Sequence, residues 1–110
     1  MTVSIKNIVP AKFAENAQTT QYTAALVKAV IDKFTATNTS ASNASIDVNL
    51  TLGGAAAGSN LIIKSRVLLP NETYTFPELV GHVLEPTGTI STIASTASAI
   101  VIRASGREIS

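Results

Sequence analysis

Residues 45–52, Ser-Ile-Asp-Val-Asn-Leu-Thr-Leu, alternate between polar and apolar side chains without a break. On an extended strand successive side chains point to opposite faces. Ile46, Val48, Leu50 and Leu52 therefore share one face, and Ser45, Asp47, Asn49 and Thr51 the other. A helix has a period near 3.6 and could not gather this set into one stripe. The pattern predicts a strand buried on one side, as in an antiparallel sheet resting on a core. Residues 30–38 are β-branched and alternating, with Val30, Phe34 and Ala36 as the inward set. The small polar residues 39–44 between them suit a hairpin loop, so the two strands are expected to pair with each other.

Further strands follow at spacings of about ten residues. Gly53-Gly54-Ala55-Ala56-Ala57-Gly58-Ser59 breaks the alternation. Residues 60–69 are apolar on both faces apart from Lys64, Ser65 and Arg66. Such a strand needs cover, which points to an interface. It stops at Pro70-Asn71-Glu72, a turn with proline fixing φ. Residues 73–76 form a short strand ended by Pro77, and 78–84 suit either a short strand or one helical turn. Residues 89–94 and 99–104 read as a closing hairpin around Ser95-Thr96-Ala97-Ser98. Residues 18–23 look extended. For 22–34 a helix remains the rival reading, because Ala24, Ala25, Leu26, Lys28 and Ala29 tolerate one. The expected fold is all-β: a single antiparallel sandwich of seven to eight short strands, Ig-like or jelly-roll-like, over residues 1–110. Residues 1–17 are expected to be less regular.

Composition narrows function. Hydrophobic residues make up 45% of the 110 and charged residues 14%, which excludes a disordered chain. Eight Lys+Arg against seven Asp+Glu leave a net charge of +1. That balance lacks the basic excess of a nucleic-acid binder and the polybasic runs of a membrane-surface protein, so neither partner is expected. Cysteine is absent, which removes disulfides and thiolate metal sites. The first residues, Met-Thr-Val-Ser-Ile-Lys, lack the pattern of a secretion signal.

Catalytic equipment is sparse. His82 is the sole histidine, which excludes a multi-histidine metal site, and no G-x-S-x-G context supports a Ser-His-Asp arrangement. Gly53 and Gly58 match half of a phosphate-binding loop, but Ser59 and Asn60 replace the required Lys and Ser/Thr. The carboxylates show no pairing of the glycosidase kind. The aromatics, Phe13, Tyr22, Phe34, Tyr74 and Phe76, are not interleaved with basic residues as in a base-stacking surface. No enzymatic activity, cofactor or metal is expected.

Four stretches bear a family likeness. They are Ile31-Asp32-Lys33-Phe34-Thr35-Ala36-Thr37-Asn38, Leu68-Leu69-Pro70-Asn71-Glu72-Thr73-Tyr74, Pro77-Glu78-Leu79-Val80-Gly81-His82-Val83-Leu84-Glu85-Pro86 and Ile102-Arg103-Ala104-Ser105-Gly106-Arg107-Glu108-Ile109. In this order the chain resembles small β-sandwich proteins encoded among the structural genes of tailed bacteriophages and prophages, over about residues 6 to 110. The resemblance implies a virion component without catalysis: a head decoration (cement) or minor capsid protein, with a tail-associated or host-recognition module as the alternative. Its partners would be the major capsid protein or other virion structural proteins, and copies of itself. A carbohydrate-binding sandwich is disfavoured because tryptophan is absent. Lys12 and Phe13 near the N-terminus, and Arg103, Arg107 and Glu108 near the other end, are the expected interface residues.

Overall fold

The computed structural model describes residues 1–110. Nine strands form: β1 (Val3–Phe13), β2 (Thr19–Thr23), β3 (Lys28–Asn38), β4 (Ala44–Thr51), β5 (Leu61–Leu68), β6 (Thr73–Tyr74), β7 (Val83–Leu84), β8 (Thr89–Ala94) and β9 (Ile100–Ile109). A three-residue 3-10 turn at Gly58–Asn60 is the one helical element. One sheet runs β1-β9-β3-β6, with β7 pairing further along β3, and the other runs β2-β8-β4-β5. Every ladder is antiparallel.

The pairing is nested. β1 pairs with β9, β2 with β8, β3 with β6 and β7, and β4 with β5. The chain is thus one long hairpin, reversing between β4 and β5 and rolled up so that its arms serve two sheets. This is the jelly-roll form of the sandwich. At the open end of the hairpin Thr2 and Ser110 exchange backbone hydrogen bonds of 3.2 and 3.0 Å.

Between the sheets lies one continuous apolar core that includes Ile31, Phe34, Ile46, Val48, Leu68, Phe76, Leu79, Ile90, Ile100 and Ile102. Phe34 and Phe76 meet edge to face with centroids 5.3 Å apart, and Tyr74 meets Phe76 in the same way at 4.8 Å. Such aromatic pairs favour this geometry because the positive ring edge faces the negative ring face.

The expected all-β sandwich is the observed one, but its local pairings differ. β3 and β4 do not pair, because residues 39–43 carry the chain across from one sheet to the other. Asn38 organises that crossing. It is fully buried, and its amide nitrogen donates to the carbonyls of Ser42 (2.8 Å) and Leu68 (2.9 Å), while its oxygen accepts from Ser40. β8 and β9 are likewise not a hairpin: residues 95–99 cross between sheets, and β9 enters the first sheet between β1 and β3. Residues 78–84 make a turn and then the two-residue β7.

The N-terminal segment is not irregular. Val3–Phe13 is a strand as long as any in the protein. Its ladder with β9 shifts register between Lys6 and Val9 and again between Val9 and Lys12. These irregularities scramble the alternation, so that consecutive Ile8 and Val9 are both buried. No helix forms over residues 22–34 either: the chain bends at Ala24–Val27, where Leu26 takes φ +59°, and continues as β3.

Two inward sets shift for the same kind of reason. A bulge between Ile31 and Lys33 reverses the phase of β3. Ala29 and Ile31 face the core before it, Phe34 and Ala36 after it, and Val30 is only half-buried. In β4, Ile46 and Val48 are fully buried and Leu50 partly so, but Leu52 lies beyond the ladder and is 83% exposed. Asn49 and Thr51 are buried although polar. The following loop folds back onto Asn49, whose amide donates to Ala57 O (3.0 Å) and Asn60 Oδ1 (2.7 Å). The Thr51 hydroxyl shares a 2.6 Å hydrogen bond with that of Thr89.

Candidate interaction surface

The outer face of the β1-β9-β3-β6 sheet gathers three of the five residues expected at an interface. Phe13 lies opposite Val101 at one end and is 47% exposed. Arg103 and Arg107 follow on β9 at even spacings from Val101, so they point to the same side as it does. Arg107 grips Asp32 with both ends of its fork, Nε to Oδ2 at 3.0 Å and Nη2 to Oδ1 at 2.9 Å. Arg103 enters no ion pair.

Lys12 and Glu108 are engaged within the fold. Lys12 Nζ donates to Glu15 Oε2 at 2.8 Å. This bond, together with one from Gln21 Nε2 (2.9 Å), holds the Glu15 carboxyl below its ordinary value. Glu108 reaches across to the other sheet, where it accepts a 2.5 Å hydrogen bond from the Tyr22 hydroxyl, and Lys6 Nζ stands 3.8 Å away. Burial, and then the Glu108 carboxylate, push the Tyr22 phenol far above its usual range, so it remains a donor at any ordinary pH.

Sequence reasoning missed Lys33, Thr35 and Ser105, which join Arg103 on the open face. In the β3–β9 ladder Lys33 lies opposite Ser105 and Thr35 opposite Arg103. The four line a shallow depression of about 230 Å³ that no hydrophobic residue enters. Their outward alternation was readable; the pairing of β3 with β9, which brings them together, was not.

A larger groove, about 650 Å³, runs along the free edge of β5 toward Tyr74 and Glu78. Ile62, Val67 and Leu69 are exposed on or beside this edge strand. Several polar groups here engage one another, although Arg66 Nε is buried without a hydrogen-bond partner. Arg66 stacks over the Tyr74 ring with its guanidinium carbon 3.7 Å from the centroid. The Tyr74 hydroxyl lies 2.9 and 2.8 Å from the two Glu78 oxygens, and Glu72 Oε1 accepts from Leu69 N. That tyrosine is the first cause that keeps the Glu78 carboxyl below its ordinary value. Ser65 takes φ +50°, and its N–H donates to Asp47 Oδ1 at 2.6 Å. A bulge flanked by Lys64 and Arg66 protects an edge strand from unwanted strand pairing.

No three side chains of the His, Cys, Asp and Glu types converge as a metal site would require. His82 is exposed in the turn before β7, where its carbonyl accepts from Ile31 N (3.0 Å). That contact is made by the backbone and survives substitution. His82→Ala should therefore change stability by less than about 0.5 kcal/mol in a thermal melt, as at other exposed sites, and should leave biological activity unchanged. Lost activity in a folded His82→Ala protein would reveal a chemical role for the imidazole.

No family model and no curated protein matches this chain. In fold it is similar to a chain in the structure of infectious bursal disease virus, Gx strain, with a TM-score of 0.63 at 13% sequence identity. The likeness covers 98% of this chain and 33% of that one, so this chain spans about a third of the other's length.

Proposed function

We propose that this protein is a non-catalytic structural component of a virion, and more specifically a head decoration or minor capsid protein that binds an assembled shell. The observation that carries the reading is the jelly roll itself: a rolled hairpin whose likeness to a chain from a virus structure extends over nearly the whole length. The resemblance to tailed-phage structural proteins supports it independently. A fold alone does not specify a function, so the surface must supply the rest. Phe13 and Arg103, exposed on the outer face of one sheet, are the contacts this reading uses.

A decoration protein gains affinity from a surface that exists only after shell subunits have assembled, where several weak contacts act together. Near-zero net charge makes long-range steering minor, so binding should be only mildly salt-sensitive. The test is to mix purified protein with empty shells of the phage that encodes it, and separately with unassembled shell subunits, and then to sediment. Binding to shells alone is expected, weakened in a Phe13→Ala, Arg103→Ala double variant. Equal binding to both would overturn the decoration role, and capture by purified tails alone would move the protein to the tail. Point variants are the right probe because β1 is part of a sheet and cannot be trimmed without exposing β9.

A further inference from the structure

We propose that Lys33, Thr35, Arg103 and Ser105 form a binding site for a phosphate group on the outer face of the β1-β9-β3-β6 sheet. The site does not depend on the virion reading. Lys33 and Arg103 are diagonal neighbours across the β3–β9 ladder, each standing opposite a hydroxyl. Like charges placed close on a sheet face repel. The protein neutralises cations elsewhere on this sheet: Lys6 with Glu108, Lys28 with Glu85 and Arg107 with Asp32. Lys33 and Arg103 are left out of every ion pair.

The β3 bulge creates this arrangement. Without the register shift between Ile31 and Lys33, one of the two consecutive charged residues would face the core. With it, Asp32 and Lys33 are both exposed. Asp32 is consumed by Arg107, and Lys33 is placed beside Arg103. Bulges re-aim side chains in this way next to functional sites. The result is a depression walled by one guanidinium, one ammonium and two hydroxyls.

The donor set selects the ligand. An arginine fork binds two oxygens of an oxyanion at once, lysine adds a point charge, and the two hydroxyls can supply further donors. Donors from both strands suit the several oxygens of a tetrahedral phosphate better than the two of a planar carboxylate. The phosphate could be free or part of a phosphodiester.

The test is an amide chemical-shift titration of the full chain with sodium phosphate at constant ionic strength, with sodium chloride as the control. Saturable shifts confined to the neighbourhood of Lys33, Thr35, Arg103 and Ser105 are expected. Affinity should fall roughly tenfold in Arg103→Ala, as expected for losing a charge-assisted bidentate contact, and only partly in Arg103→Lys. A parallel titration with a short single-stranded oligonucleotide identifies the source. Tighter binding at the same residues assigns a phosphodiester, and binding of phosphate alone assigns the free anion. These side chains are exposed, so the variants should keep the wild-type circular dichroism spectrum. Absent shifts, shifts matched by chloride, or shifts unchanged in both Lys33→Ala and Arg103→Ala would overturn the proposal.

Discussion

Gly106→Ala should be among the most damaging single-methyl changes this protein can undergo. Gly106 sits in β9, between Lys6 of β1 and Ile31 of β3. A Cβ added there would lie 2.2 Å from the carbonyl oxygen of Val30 and 3.3 Å from Ile8 Cδ1. The first is a backbone atom in a central ladder and cannot step aside as a flexible side chain would. Overpacking a core usually costs about 1–3 kcal/mol. A clash with the backbone at the strand joining β1 to β3 should exceed about 3 kcal/mol, a large part of the 5–15 kcal/mol that holds a typical domain folded. The thermal midpoint should then fall by more than about 10 °C. Gly54→Ala and Gly58→Ala are the controls, since an added Cβ meets nothing within 4 Å at either position. Equal melting of all three variants would show that the β1-β9-β3 approach is looser than described.

Val48→Asp should destabilise by several kcal/mol at neutral pH. Val48 is fully buried on β4, facing Thr92 of β8 on one side and Ile63 of β5 on the other. A carboxylate there would lose its hydration with no cation to replace it. Burial raises the folded-state pKa of such a group above its unfolded value. Its charge penalty is therefore absent below the unfolded value near 4, grows as pH rises from there to the folded value, and is constant above it. Urea denaturation near pH 7 and near pH 4 should show the variant closing part of its deficit at the acid end. A deficit independent of pH would mean that lost packing, rather than buried charge, dominates.

The residues that were legible in advance are those whose burial follows from local periodicity. Ile46 and Val48 alternate cleanly because β4 keeps an unbroken register with β8 there, and Phe34 and Ala36 because β3 is regular beyond its bulge. What escaped was non-local. A Ser/Asn-rich loop such as residues 39–43 can close a hairpin or carry the chain to the opposite sheet. Its local composition is the same in both cases, and only the buried Asn38, tied to Leu68 thirty residues away, distinguishes them. Bulges hid β1 and displaced Val30 for a related reason: a single extra residue reverses which side chains face inward. Leu52 misled because the alternation in sequence outlasts the ladder by one residue. The candidate surface divides along the same line. Phe13 and Arg103 could be named from the chain alone, but Lys33 and Thr35, which stand beside Arg103, lie on β3 some seventy positions away.

The nested pairing also sets the order in which the protein can be made. β9 is synthesised after the other eight strands, yet it occupies the middle of its sheet, between β1 and β3. Until residues 100–109 have left the ribosome, β1 and β3 have no common neighbour, and each presents an unsatisfied edge. Closure must also bring Val3 to Ile109 across almost the entire chain. Contacts so distant in sequence slow folding, and a chain still lacking β9 would be exposed to other chains. A crowded polysome offers a ready substitute: the β9 of one nascent copy can fill the gap in another with the same register and the same side chains. Exchanged dimers formed by that route would be native in every contact and differ only in which molecule supplied the strand.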